Sequence, residues 1–450
     1  MNEVPPQRFS LPRTLKLGSF HIGSAFVDLL TSGVLNRVLI TDLHLWATPV
    51  ALLSALRYLL APLSIWAGYW SDTRPIFGLH RLPYILAGRV PMILSLPLLP
   101  VATVLLAADG SSILGWALAV VAFLIYGFGT LFSGGVFLAL IRDNAPPARR
   151  GLALSIAQIF LVLSFPIAAV VYAKLMPVYD SANFWRITLL GMAIAGSFIG
   201  FSLFGAEQRG QTIVADHPNE QLPFKALLHE MWADRRTRFF FLFLALGALS
   251  AFAQDAVLEP FGGHVFGMDV GETTRFNAFW GVGVLITLVG TIVVTRRRQA
   301  HEQTSTTVIG LILTSVPLAL LGVVALTANR ALVIPVIVLF GLGFGVYSVG
   351  AMSLLMAMTA DRRAGAYLGL WTMAQLLFRG FGVFLGGLIR DLAYLASGGN
   401  YPIAYASVFI LSAVGLGACI LLLLKADVAG FARSANVTQV PIASFAAAAE

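Results

Sequence analysis

The residues able to do chemistry in this chain are ionisable and amide groups set inside long apolar stretches. Asp28 stands near the middle of the first stretch, with Asn36 and Arg37 about two turns further on. Arg57 lies at the centre of the second, Gln158 in the fifth, and Gln375 and Arg379 in the eleventh. The seventh ends Gln254-Asp255-Ala-Val-Leu-Glu259-Pro260-Phe-Gly-Gly263. There Asp255 and Glu259, four apart, fall on one helix face before Pro260 and the glycines break it. Charge in hydrocarbon is expensive and usually faces an interior, so each group is a functional candidate. Two roles compete. As structural pairs, Asp28 or Asp255 neutralise Arg57 or Arg379 across a bundle. As functional groups, the carboxylates exchange protons or hold a polar ligand. Arg57 and Arg379, in opposite halves at mid-depth, read as cavity-facing; Asp255 and Glu259, near the outer boundary, fit either role.

Other chemistry is missing from the pattern. Of 7 histidines only His21 lies inside an apolar stretch, near its end. No group of residues has metal-ligand spacing, and no Ser-His-Asp or Cys-His arrangement is present, so neither a metal site nor enzyme chemistry is expected. Phe340-Gly-Leu-Gly-Phe-Gly345 lies within an apolar helix, which makes it a packing surface rather than a phosphate loop.

The elements that must position these groups are helices in lipid. Of 450 residues 58% are hydrophobic and 11% charged, against about a quarter charged in soluble domains. Disorder is excluded by the same figures, and a disulfide scaffold by the lone Cys419. A bilayer core takes roughly 20 apolar residues per helix. Twelve such runs are present, at about 17–40, 47–70, 84–107, 114–141, 152–176, 185–206, 239–261, 276–295, 305–326, 331–357, 366–390 and 403–424. Barrel strands would alternate in polarity over short segments, and these do not. Residues 1–16 form a polar arm before a first run long enough to remain as a span, so no cleavable signal is expected.

Charge sets the orientation. With the N-terminus cytoplasmic, 20 of the 29 lysines and arginines fall on its side and 5 on the other; Arg37, Arg57, Arg89 and Arg379 lie within or at the ends of runs. That asymmetry predicts both termini in the cytoplasm of a multi-pass inner-membrane protein. The net charge of +8 is thereby a matter of topology and of anionic lipid, not of nucleic acid. The polar connection 207–238 separates two six-span halves, 1–206 and 239–425, and its residues 222–238 suit a surface helix; 426–450 read as a disordered tail. The halves repeat each other: Tyr126-Gly-Phe-Gly129 answers Phe340-Gly-Leu-Gly343, Ser133-Gly-Gly135 answers Ser348-Val-Gly350, Arg149-Arg-Gly151 answers Arg362-Arg-Ala-Gly365, and Ala157-Gln158 answers Ala374-Gln375.

The loop Gly68-Tyr-Trp-Ser71-Asp72-Thr-Arg74-Pro-Ile-Phe-Gly78-Leu-His80-Arg81 resembles the cytoplasmic signature of the major facilitators, with a stretched spacing between Arg74 and Arg81. Six-span parallel repeats suit that architecture, an all-α membrane fold of twelve helices. In it, Gly68, Asp72, Arg74, Gly78 and Arg81 act as a latch, Asp72 pairing across the domains when the cytoplasmic side closes. Further stretches are similar to one branch, the PucC/LhaA or bacteriochlorophyll delivery family. They are Gly33-Val-Leu-Asn36-Arg37-Val, Ser71-Asp72-Thr with Arg81-Leu-Pro-Tyr84, and Gln254 to Gly263 followed by Phe266-Gly-Met and Gly271-Glu272-Thr-Thr. That resemblance implies an assembly factor for bacterial light-harvesting complexes, located in the photosynthetic membrane. Its implied cargo is bacteriochlorophyll, not held permanently as a cofactor. Its implied partners are antenna polypeptides and, beside membrane lipid, pigment-synthesis enzymes. The alternative is a proton-coupled transporter of a small polar solute. A stored set of pigments needs many intramembrane imidazoles. His21 alone, read first as an interfacial hydrogen-bonded histidine and second as a magnesium ligand, suits transient handling.

Overall fold

The computed structural model describes residues 9–146, 149–209, 232–295, 298–358 and 364–430. Among these, the regular elements are helical apart from an isolated bridge between Ile76 and Leu79. The expected surface helix at 222–238 falls largely outside the described residues, as do the tail beyond 430 and Arg296, Arg297, Arg362 and Arg363.

Eleven helices among the described residues are long and apolar enough to cross a membrane. The seventh expected run is not one of them. It forms α11 (Arg235–Phe252), a turn through residues 253–257, and α12 (Leu258–Phe266). Arginines crowd the start of α11, where Asp234 caps the helix by accepting from the Thr237 amide at 2.8 Å and its hydroxyl at 2.6 Å. Burial pushes the Asp234 carboxyl up, but these hydrogen bonds hold it below the usual carboxylate range. The break also corrects the expectation for Pro260. Proline is tolerated in a first turn, where its missing amide has no helical partner, and Pro260 sits in the first turn of α12. The chain therefore breaks before Glu259 rather than after it, and Asp255 and Glu259 do not share a helix face.

Span one runs from Leu11 to Asp42 as α1 (Leu11–Gly18), α2 (Phe20–Leu29) and α3 (Leu35–Arg37), with π-helical turns at Leu30–Val34 and Val38–Asp42. Such turns widen the helix, shift side-chain register and concentrate at functional sites. Span two is α4 (Ala47–Leu59) and α5 (Pro62–Thr73); span three is α6 (Leu82–Ser95) and α7 (Leu98–Ala108). Then come α8 (Ile113–Asp143), α9 (Arg150–Leu175), α10 (Ser181–Leu203), α13 (Val270–Thr295), α14 (Thr304–Thr327), α15 (Val333–Met358), α16 (Ala364–Ala396) and α17 (Tyr401–Ala426).

The chain forms two compact units. One holds the chain up to Thr31 together with Leu60 through the sixth span. The other holds Ser32–Leu59 together with the C-terminal spans. This division cuts across six-and-six because α4 packs extensively on α16 within the second unit. Small residues allow such approaches. In the first unit α6 meets α8 at Gly88, where a Cβ would stand 2.8 Å from the Gly129 carbonyl oxygen. In the second, a Cβ on Gly345 would stand 2.6 Å from the Val284 carbonyl, so the glycine run of α15 is a packing surface.

Candidate functional site

The interior of the first unit gathers polar groups from three helices. Asp28 on α2 accepts a hydrogen bond from the Tyr126 hydroxyl on α8. Arg89 on α6 donates Nε–H to Ser133 Oγ at 2.7 Å and Nη1–H to Met92 Sδ at 3.7 Å. Its guanidinium lies 4.6 Å from the centre of the Phe20 ring, which stacks on Phe137 at 3.7 Å. His21 meets Phe137 edge-on at 5.3 Å, and its Nε2 is buried without a hydrogen bond among the described residues. His21 thus lies against aromatic rings with Nε2 making no hydrogen bond among the described residues, where a hydrogen-bonded interfacial histidine was expected. Tyr126 and Ser133 open two of the repeated motifs but were not picked out as site residues, and Arg89 was noted from sequence only as lying within or at the end of a run.

The signature loop of the same unit is knotted. Phe77 and Gly78 take left-handed φ values of 54° and 76°. Reciprocal hydrogen bonds between Ile76 and Leu79, at 2.9 and 3.0 Å, close the turn around them. Glycine suits such a turn, and the inserted residues return Arg81 to Asp72. Arg81 is ion-paired with Asp72 and, at 2.9 Å, with Asp143, and it donates to Ser71 Oγ at 2.7 Å. Glu207 caps the start of α6 through the amides of His80, Arg81 and Leu82, at 2.5 to 3.0 Å. Asp72 thus finds Arg81 within its own unit. Arg74 is exposed, lies 6.0 Å from the Trp70 ring, and contributes its backbone carbonyl to Tyr84. A Cβ on Gly68 would meet open space.

The second unit brings Arg57 and Arg379 together at one tyrosine. Arg57 Nη2 donates to Tyr58 Oη at 2.9 Å. Arg379 stands 5.2 Å from the Tyr58 ring centre and 3.9 Å from that of Phe252, and it pairs with Asp255 at 3.1 Å. Gln254 donates to the same carboxylate at 3.1 Å. Gln375 lies one turn before Arg379 and is half-buried; Gln158, on an exposed face of α9, belongs to the other unit. Asn36 accepts from Ser54 at 2.9 Å. Arg37 is buried on Asp42 at 2.9 Å and the Met268 carbonyl at 3.0 Å. Glu259 is 3% exposed, not at the surface, and its direct partners are Asn277 at 2.5 Å and Thr274 at 3.4 Å. A Cβ on Gly33, in the first π-helical turn, would fall on the Glu259 carboxyl.

A further cluster gathers at the start of span two. Asp391 on α16 accepts from the first amides of α4, Ala47 at 3.2 Å and Thr48 at 2.7 Å, and from the Thr48 hydroxyl at 2.7 Å. Arg390 donates to Asp391 at 2.6 Å and lies 5.1 to 5.4 Å from the ring centres of Tyr394, Tyr401 and Tyr405. His264 Nδ1 is 2.7 Å from Tyr405 Oη and 3.4 Å from Arg390 Nη2. A guanidinium can only donate, so Nδ1 accepts and the ring proton sits on Nε2.

Solved structures define the class. A bacterial homologue of the human lysosomal transporter Spinster matches with a TM-score of 0.69, over 93% of this chain and 98% of that one, at 14% identity. The D-xylose-proton symporter matches with a TM-score of 0.65, over 90% and 95%, at 15% identity. The fold is that of the major facilitator transporters. The chain belongs to the PUCC protein family, whose family model matches residues 34–431. Among its relatives are the "Bacteriochlorophyll synthase 44.5 kDa chain" of Rhodobacter capsulatus, 30% identical over 84% of this chain and 87% of that one. Protein PucC of Cereibacter sphaeroides is 27% identical over 91% of each.

Proposed function

We propose that this chain is an integral membrane assembly factor for bacterial light-harvesting complexes, handling or delivering bacteriochlorophyll, antenna polypeptides, or both. The observation that carries the reading is membership of the PUCC protein family over residues 34–431. Relatives named for PucC and for a bacteriochlorophyll synthase chain support it. On this reading the chain is a carrier and not a catalyst. It holds bacteriochlorophyll as passing cargo, and His21, with its orphan ring nitrogen among Phe20 and Phe137, is its magnesium ligand. Its partners are antenna polypeptides, pigment-synthesis enzymes and the lipid of the inner photosynthetic membrane, with both termini cytoplasmic. Deletion of the gene, followed by near-infrared absorption of whole cells, tests the proposal. Loss of an antenna band is expected; unchanged bands refute it.

One observation favours a second reading, proton-coupled transport of a small polar solute. Glu259 is a buried carboxylate whose direct partners are the neutral Asn277 and Thr274, which suits a group that alternates between charged and neutral forms. Pigment in the purified protein separates the two readings.

A further inference from the structure

Arg89 differs from three other buried arginines of this chain. Arg37, Arg81 and Arg390 each reach a carboxylate at salt-bridge distance. Arg89 is 5% exposed, on the third span, and its direct partners are the Ser133 hydroxyl, the Met92 sulfur and the Phe20 ring. None of these carries charge. The carboxylate whose field it feels, Asp28, is engaged by Tyr126. A buried cation without an anion is costly, and one that persists in a span marks a place where an anion arrives.

The geometry says how it arrives. A guanidinium presents five N–H donors in a planar fork. The face of this one is covered by Phe20, Nε–H is spent on Ser133, and one Nη1–H points at Met92. Nη2 makes no hydrogen bond among the described residues and is not one of the fully buried atoms. The open part is therefore the Nη edge, in the plane of the group, the edge that takes a carboxylate or phosphate side-on with two parallel hydrogen bonds. The Phe20 ring on its face stacks on Phe137 and meets His21 edge-on, so the guanidinium borders an aromatic cluster that holds one unpartnered ring nitrogen. We infer that Arg89 anchors the anionic group, carboxylate or phosphate, of an amphipathic ligand inside the first unit. The inference does not rest on the pigment reading.

The test uses the full chain in neutral maltoside micelles, with unfolding temperature followed against added probe. The probes are decanoate, dioctanoyl phosphatidate, and the uncharged methyl decanoate and dioctanoylglycerol. The two anions are expected to raise the unfolding temperature saturably and the uncharged analogues to leave it unchanged. Tighter binding of decanoate assigns the site to a carboxylate-bearing cargo; tighter binding of phosphatidate assigns it to a lipid headgroup. Arg89→Gln is expected to abolish the shift. Arg89→Lys keeps the charge and loses the fork, so it covers the case in which Arg89→Gln fails to fold; it should weaken the binding of either anion about tenfold. Equal shifts from charged and uncharged probes overturn the proposal, as does a wild-type response in Arg89→Lys.

Discussion

Asp391→Asn should release the start of span two from the eleventh span. The native carboxylate accepts four hydrogen bonds, three from the start of α4 and one from Arg390, at 2.6 to 3.2 Å. The first amides of a helix have no intrahelical partners, so α4 relies on Asp391 for its cap. Each bond to a charged group is worth about 1.5–3 kcal/mol, but four on one carboxylate do not add. Asparagine keeps the shape and one accepting oxygen, yet leaves the buried Arg390 without a counter-charge, a loss of about 3–5 kcal/mol. At 1.4 kcal/mol per tenfold, a loss near 3 kcal/mol raises the population of a separated α4–α16 interface by about a hundredfold. The reporter is Val50→Cys, at a position 1% exposed on α4, in a background whose native Cys419 is fully buried. Labelling by an impermeant maleimide, added from the side that the arginine count makes the outer one, should accelerate about a hundredfold in Asp391→Asn. Thr48→Val, which removes the hydroxyl bond alone, should accelerate it about tenfold, since a bond that shares its acceptor oxygen with the Thr48 amide falls at the low end of that range, about 1.5 kcal/mol. Unchanged labelling with a lowered unfolding temperature would reduce Asp391 to a helix cap; unchanged values of both would refute the reasoning.

Other outcomes follow from the same contacts. Arg379→Leu strips Asp255 of its 3.1 Å partner and should abolish antenna assembly while protein still accumulates in the membrane; loss of the protein itself makes the pair structural. Arg81→Leu leaves Asp72 and Asp143 facing each other without their shared cation and should cost about 3–5 kcal/mol, read as an unfolding temperature. Glu259→Gln keeps the shape of a buried carboxyl whose direct partners are neutral, so stability should hold or rise by up to about 2 kcal/mol; a large loss would mean the charge is structurally paired. His21→Phe should remove any bacteriochlorophyll that copurifies, with the absorption spectrum as the measure and retained pigment as the refuting result.

Much of this architecture was legible because lipid imposes simple rules. Apolar run length identified eleven helices long enough to span among the described residues, though not the seventh expected run as one of them, and the repeated Gly motifs identified helices that pack closely. The Arg379–Asp255 pair was legible as one of a few chemically sensible matches. The break in the seventh span was misplaced because Pro260 reads as a helix breaker, whereas a proline in a first turn starts a helix as readily as it ends one. Asp391 escaped notice for a different reason. Beside Arg390 at the edge of an apolar run, it reads as surface charge, and only the continuation of α16 to Ala396 brings it onto the start of α4. Arg89 was visible as a residue but its isolation was not. That depends on which side chains three separate helices turn toward it, and no spacing along one chain encodes the absence of a partner.

The rule that intramembrane charge marks function needs a second criterion here. Arg37 with Asp42, Arg81 with Asp72 and Asp143, and Arg390 with Asp391 are each neutralised at contact distance. Pairs of this kind fasten helix ends, and removing one partner costs stability whether or not anything is carried. Arg89 in the first unit and Glu259 in the second are buried on direct partners that carry no charge. Each is surrounded instead by neutral donors or acceptors that hold its orientation. An arrangement that orients a charge without neutralising it forgoes stability in the resting chain. On the readings proposed above, the missing partner is supplied from outside, an anion for Arg89 and a proton for Glu259. The mismatch, more than the mere presence of charge in the membrane, makes Arg89 and Glu259 the residues whose substitution separates the proposed readings.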